Sequence, residues 1–134
     1  MPHNSFAMST SSESSSSARR LQRSRESLTV AELLISAGQH RHSVIAHWLA
    51  VRELFFSFLE ARRTPFVSTE DALRHLISDH LDGNASAMLA EAYHLAIMAE
   101  WDEAVSVDEQ GARRMRGLVD GISKALGRGV CQND

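Results

Sequence analysis

One cysteine, two prolines and seven glycines are all that this 134-residue chain holds of the residues that staple or break a fold. The single Cys131 excludes an intramolecular disulfide framework and a multi-cysteine zinc site. With so few prolines and glycines, little of the chain is forced into turns. No apolar run approaches the roughly 20 residues of a membrane-spanning helix. A glycine-flanked serine elbow is missing, and so is a phosphate-cradling glycine loop. What is present, 43% hydrophobic and 23% charged residues, is ordinary for one globular domain of this length.

Charge is uneven. Residues 1–25 carry Arg19, Arg20, Arg23 and Arg25 against Glu13, a balance of +3, which leaves −6 of the net −3 on the remainder. An acidic body is a poor surface for nucleic acid, whose phosphates need clustered Lys and Arg. RNA contact would fall to the basic segment or to a local patch of Arg113, Arg114 and Arg116.

Residues 1–25 read as a disordered Ser/Arg-rich tail. Nine of the first 24 residues are serine, too little apolar surface to offset ordering entropy. The stretch lacks the apolar segment of a secretory signal peptide. Its acid-poor composition leaves an organelle transit peptide or a secretion leader as alternatives to a cytoplasmic protein, and Met8 as an alternative start to Met1. Residues 128–134 read as a flexible C-terminus with Cys131 an exposed thiol. Gln132 and Asn133 are not the aliphatic residues that prenylation needs.

Between these ends, over residues 26–127, the period is helical throughout. Thr29-x-x-Glu32 suggests a capping box, and Val30, Leu33, Leu34 and Ala37 follow before a stop at Gly38. Val44, Trp48, Val51, Phe55, Phe58 and Leu59 place a second helix over 40–62, ended by Thr64-Pro65. Ser68-x-x-Asp71 caps a third, and Asp82-Gly83-Asn84 reads as a turn. Met88, Leu89, Ala92, Leu95, Ala96 and Ala99 mark a fourth over about 86–104. Ser106-x-x-Glu109 opens a fifth that stops at Gly127 and Gly129. Short connections predict an all-α, up-and-down antiparallel bundle of four to five helices.

Seven histidines raise the question of a metal. Their spacings of two and five do not share a helix face, no His-x-x-x-His occurs, and Glu-x-x-His occurs once, at Glu91 to His94, where a bundle di-metal site needs a pair of them. No metal or other cofactor is expected. The aromatic residues Trp48, Phe55, Phe56 and Phe58 crowd one helix, with Tyr93 and Trp101 in the fourth. Phe56 lies about 100° from Phe55 around a helix, so the two cannot share a narrow stripe. Phe56, Trp48 and Trp101 are therefore candidates for a partner surface, against the alternative of a wide buried stripe.

Several of these segments together resemble the HEPN-domain family. Ala31-Glu32-Leu33-Leu34-Ile35-Ser36-Ala37-Gly38-Gln39-His40 is similar to the opening of those domains. Ala46-His47-Trp48-Leu49-Ala50 and Leu59-Glu60-Ala61 sit where the second helix has its signature. Ala72 to Ile77 resembles the short third helix, Ala99-Glu100-Trp101-Asp102 the segment after the fourth, and Ala112 to Leu126 the last. The resemblance implies a helical bundle, often a homodimer. It also implies a setting of RNA cleavage, of toxin–antitoxin pairs with a nucleotidyltransferase partner, or of defence. Active members use Arg-x(4–6)-His. In the branch most similar to this chain an arginine stands three residues before the Ala99 position, which here is Ala96.

Two Arg-x(5)-His matches occur, Arg41 to His47 and Arg74 to His80, about the number that chance gives. If the chain is a metal-independent ribonuclease, Arg74 and His80 are the pair expected to stabilise phosphorane charge and move protons. The first expectation is instead a non-catalytic HEPN-like bundle acting through protein binding or dimerisation. A secreted effector or small adaptor is the third.

Overall fold

The computed structural model describes the backbone of residues 2–133 and the side chains of residues 16–127. Five helices make it up: α1 (Pro2–Ser36), α2 (His40–Ala61), α3 (Thr69–Asp79), α4 (Gly83–Trp101) and α5 (Glu109–Asn133). Among the described residues there is no strand, so the fold is an all-α bundle. No helix among them is long and apolar enough to cross a membrane.

α2 lies at the centre, packed on α1, α4 and α5, while α1 and α5 meet only sparingly. The core it organises holds Phe55, Leu59, Leu76, Leu89, Met115 and Ile122, all fully buried. Burying such side chains stabilises by about 1.5–3 kcal/mol each, the main term holding five helices together.

The α1–α2 hairpin departs most from the sequence expectation. Residues 16–25 are not a tail but a part of α1 that packs on α2. Ser17 Oγ meets Ser57 Oγ at 2.7 Å, Ser24 Oγ donates to Ala50 O at 2.7 Å, and Ser43 Oγ donates to Ala31 O at 2.9 Å. Each step of seven up α1 matches a step of seven down α2, the register of two antiparallel helices in a heptad seam. The seam residues are serine and alanine, small enough for close backbone approach. Each hydroxyl finds an oxygen on the other helix, so its burial carries no unmet polar cost. Arg20 fastens the N-terminal half, its Nε 2.7 Å from Glu60 and its Nη1 3.2 Å from Glu53.

Local signals set the helix ends, some at other residues than expected. Gly38, at φ +77°, closes α1 as its sequence position suggested. Thr29 caps nothing: it lies inside α1 and its hydroxyl donates to Arg25 O at 3.1 Å. Ser68 does cap α3, accepting from Asp71 N–H, while the Asp71 carboxylate accepts from Val67 N–H. Asp82 is the N-cap of α4 and accepts from Ala85 N–H at 2.8 Å, so Gly83 and Asn84 are helical. Asp108, not Ser106, accepts from Gly111 N–H at the start of α5. α5 continues through Gly127 and Gly129 to Asn133; the side chain of Cys131 lies outside the described residues.

Candidate functional site

The residues singled out from sequence do not converge. Arg74 is exposed and its guanidinium pairs with Asp71 on its own helix. His80 follows α3 and sets its ring edge-on to Phe58, with centroids 5.1 Å apart. Partial burial and then the Arg62 charge hold its pKa below the usual histidine value. Arg74 lies within α3 and His80 beyond its end, and each is engaged by a different neighbour. Among the described residues no hydrogen bond joins the two side chains. Arg41 of the other motif donates to Ala99 O at 2.5 Å, Asp102 O at 3.2 Å and Val105 O. It closes the C-terminal end of α4, a structural task. Ala96, at the position where the resemblance expects arginine, is 2% exposed in the core, where a guanidinium would be a buried unpaired charge.

The aromatic candidates divide in the same way. Trp48 is 6% exposed and packs on Phe55 and Tyr93 at 5.9 and 5.3 Å between centroids, so it is core and presents no surface. Phe56 is half-buried: it stacks on Phe66 at 4.7 Å, and the Arg20 guanidinium lies 5.2 Å from its ring. Trp101 is the one exposed member, at 74%.

Two other regions have the character of sites. The first is the outer face of the α1–α2 hairpin. Val30 and Leu33 of α1 are exposed at 49% and 64%, and Leu49 of α2 at 36%. Val30 and Leu49 line a shallow groove of about 410 Å³ together with Arg23, Glu26, Arg52 and Glu53. Two arginines and two glutamates thus border an apolar strip.

The second is a cleft of about 540 Å³ between α1 and α5, with α2 beneath it. Leu28 and Glu32 of α1 form one wall, and Arg113, Arg116, Val119 and Asp120 of α5 form the other. His47 of α2 lies at its base and is fully buried. His47 Nδ1 is 2.9 Å from Ser43 O. A carbonyl only accepts, so Nδ1 carries the proton and neutral His47 presents a bare Nε2. That atom is buried and has no hydrogen-bond partner among the described residues; Glu32 Oε1 is 3.9 Å away. Desolvation lowers the pKa of His47, outweighing the Ser43 hydrogen bond and the Glu32 charge. Glu32 Oε2 also accepts from Arg116 Nη1 at 3.1 Å.

Sequence reasoning placed Arg113 and Arg116 in a basic patch but missed their acidic neighbours. Arg113 pairs with Glu109, Arg116 with Glu32, and Arg114 makes a bidentate bridge to Glu91 on α4 with both contacts at 2.7 Å. His47 and Glu32 are fifteen residues apart, so no local spacing signals their meeting. Among the described residues no group of three or more His, Cys, Asp or Glu side chains could hold a metal ion. No family model matches the chain, and no curated protein matches it.

Proposed function

We propose that the chain is a HEPN-like helical bundle that acts by protein binding, and that it self-associates through the outer face of the α1–α2 hairpin. The observation that carries this reading is the exposed strip Val30, Leu33 and Leu49 on two adjacent, well-packed helices. Apolar side chains grouped in this way, with a polar border, mark interaction surfaces more often than free surface. The border favours a second copy over an unrelated partner. Arg23 and Arg52 balance Glu26 and Glu53 along one groove, so one face holds both signs of charge for the reciprocal contacts that a two-fold axis makes.

An enzyme of the HEPN ribonuclease type receives less support. Arg74 is engaged by Asp71, His80 packs on Phe58, and Arg113, Arg114 and Arg116 of α5 are each met by a carboxylate. A toxin–antitoxin or defence setting, with a nucleotidyltransferase partner, rests on the family resemblance alone.

Sedimentation equilibrium of the full chain and of Leu33→Glu tests the proposal. Both charge and desolvation oppose burying a glutamate in the strip. The expected result is a dimer for the wild type at about 100 μM and a monomer for Leu33→Glu, with unchanged helicity. Trp101→Ser, a change outside the strip, should leave the dimer intact. A wild-type monomer at that concentration overturns the reading.

A further inference from the structure

We propose that the cleft between α1 and α5 is a binding site for a free α-amino acid, its ammonium on Glu32 and His47 and its carboxylate on Arg116. Nothing in this inference depends on self-association through the opposite groove.

The first argument is the pair of acceptors at the base of the cleft. His47 Nε2 and Glu32 Oε1 face each other at 3.9 Å, and neither can donate to the other while His47 is neutral. A nitrogen seated between them at about 2.9 Å from each donates to both. A primary ammonium has the hydrogens for this, and its charge suits the carboxylate. Nε2 is shut off from solvent in the free protein, so the ligand reaches it by turning aside the Glu32 side chain, which is 49% exposed.

The second argument is the neighbouring ion pair. Glu32 Oε2 and Arg116 Nη1 are 3.1 Å apart at the cleft wall. Opposite charges this close form the complement of a molecule whose ammonium and carboxylate are joined through one carbon. The ligand enters by exchange: its ammonium replaces Arg116 on Glu32, and its carboxylate takes the freed guanidinium. The four charged side chains of the cleft, Glu32, Asp120, Arg113 and Arg116, cancel, which suits a zwitterion better than a net anion or cation.

The third argument is space. Gly117 borders the cleft, and a Cβ built there would meet nothing within 4 Å. Leu28 and Val119 supply apolar surface, which favours amino acids with apolar side chains. A volume of about 540 Å³ falls within the usual range for small-molecule sites.

The test uses the ¹⁵N-labelled full chain, with the His47 ring nitrogens followed by NMR as each of the standard L-amino acids is added to about 10 mM. Apolar amino acids are expected to shift the ring signals saturably. For leucine, removing either charged end (4-methylpentanoate or 3-methylbutylamine) should weaken binding by at least about tenfold, the loss of one charge-assisted contact. Gly117→Leu fills the open space at a helix position with room for a side chain, and should abolish the shift while melting no lower than the wild type. Glu32→Gln, at a half-exposed side chain, should weaken binding at least about tenfold by the same reasoning. Absence of any His47 shift across the series overturns the proposal. So does a shift that persists in both variants or that ammonium and acetate salts reproduce, which means adventitious ions or a bound water between the two acceptors.

Discussion

α1 makes two very different contacts along its length. Toward α2 it closes on a seam of Ser17, Ser24 and Ala31 against Ser57, Ala50 and Ser43, with every hydroxyl hydrogen-bonded to the opposite helix. Toward α5 it stands off, leaving a cleft with His47 Nε2 unpaired at its base. Small residues let helices approach until polar groups satisfy one another. Large charged residues, here Glu32 and Arg116, hold helices apart and leave room between them. The same helix is thus a structural strut on one side and the wall of a site on the other.

The sharpest way to break this contrast is to enlarge a seam residue. Ser24→Leu forces a branched side chain between two close backbones and should cost about 1–3 kcal/mol. Thermal denaturation should show a fall in Tm of roughly 5–15 °C. A milder change removes the hydroxyl alone. Ser24→Ala should cost about 0.5–1.5 kcal/mol, the net worth of one intramolecular hydrogen bond, measured by urea denaturation with unchanged slope.

The open side should respond in the opposite direction. Gly117→Ala adds a methyl in free space and removes a helix-interior glycine, so it should stabilise by up to about 1 kcal/mol. Gly121→Ala, one turn further along α5, places its methyl 2.8 Å from Met88 Sδ and must displace that side chain. It should gain less than Gly117→Ala or lose stability. Equal gains at both glycines would contradict the difference in packing.

The smallest expected effect is on pH dependence. The pKa of His47 is lower in the folded chain than its ordinary value of 6.5, so the unfolded chain takes up a proton first on acidification. The His47 contribution is therefore fully present above pH 6.5 and is lost as pH falls from there through its folded value. His80 acts in the same direction. Glu70, Asp71 and Glu91 also have lowered values and weaken the fold in a more acidic window, below their ordinary values near 4. His47→Gln should flatten the slope of stability between pH 7 and 5 without removing the more acidic loss.

Much of the fold is legible locally. The apolar period of α2, the Ser68 cap and the Gly38 stop depend on neighbours within a few residues, and all three appear in the structure. The serine-rich stretch misleads because serine signals low apolar content. Its positions 17 and 24 instead belong to a seven-residue seam with Ala31, visible only once α2 is set antiparallel beside it. Ser106 and Asp108 both can cap, and the choice between them is made by backbone geometry at the start of α5. Neither candidate region was legible in full. Val30 and Leu33 read as core because they keep helical spacing, yet α1 turns them outward. The meeting of Glu32, His47 and Arg116 takes one residue from each of three helices.

Hydrogen exchange on the full chain tests the α1–α2 seam most directly. If residues 16–25 are a docked part of α1, amides from Leu21 to Ile35 should be protected to within about tenfold of those in the centre of α2, because both helices are released only when the seam opens. Exchange of Leu21 to Arg25 at the rate of an unstructured peptide, with α2 still protected, would contradict the seam and return that stretch to the status of a tail.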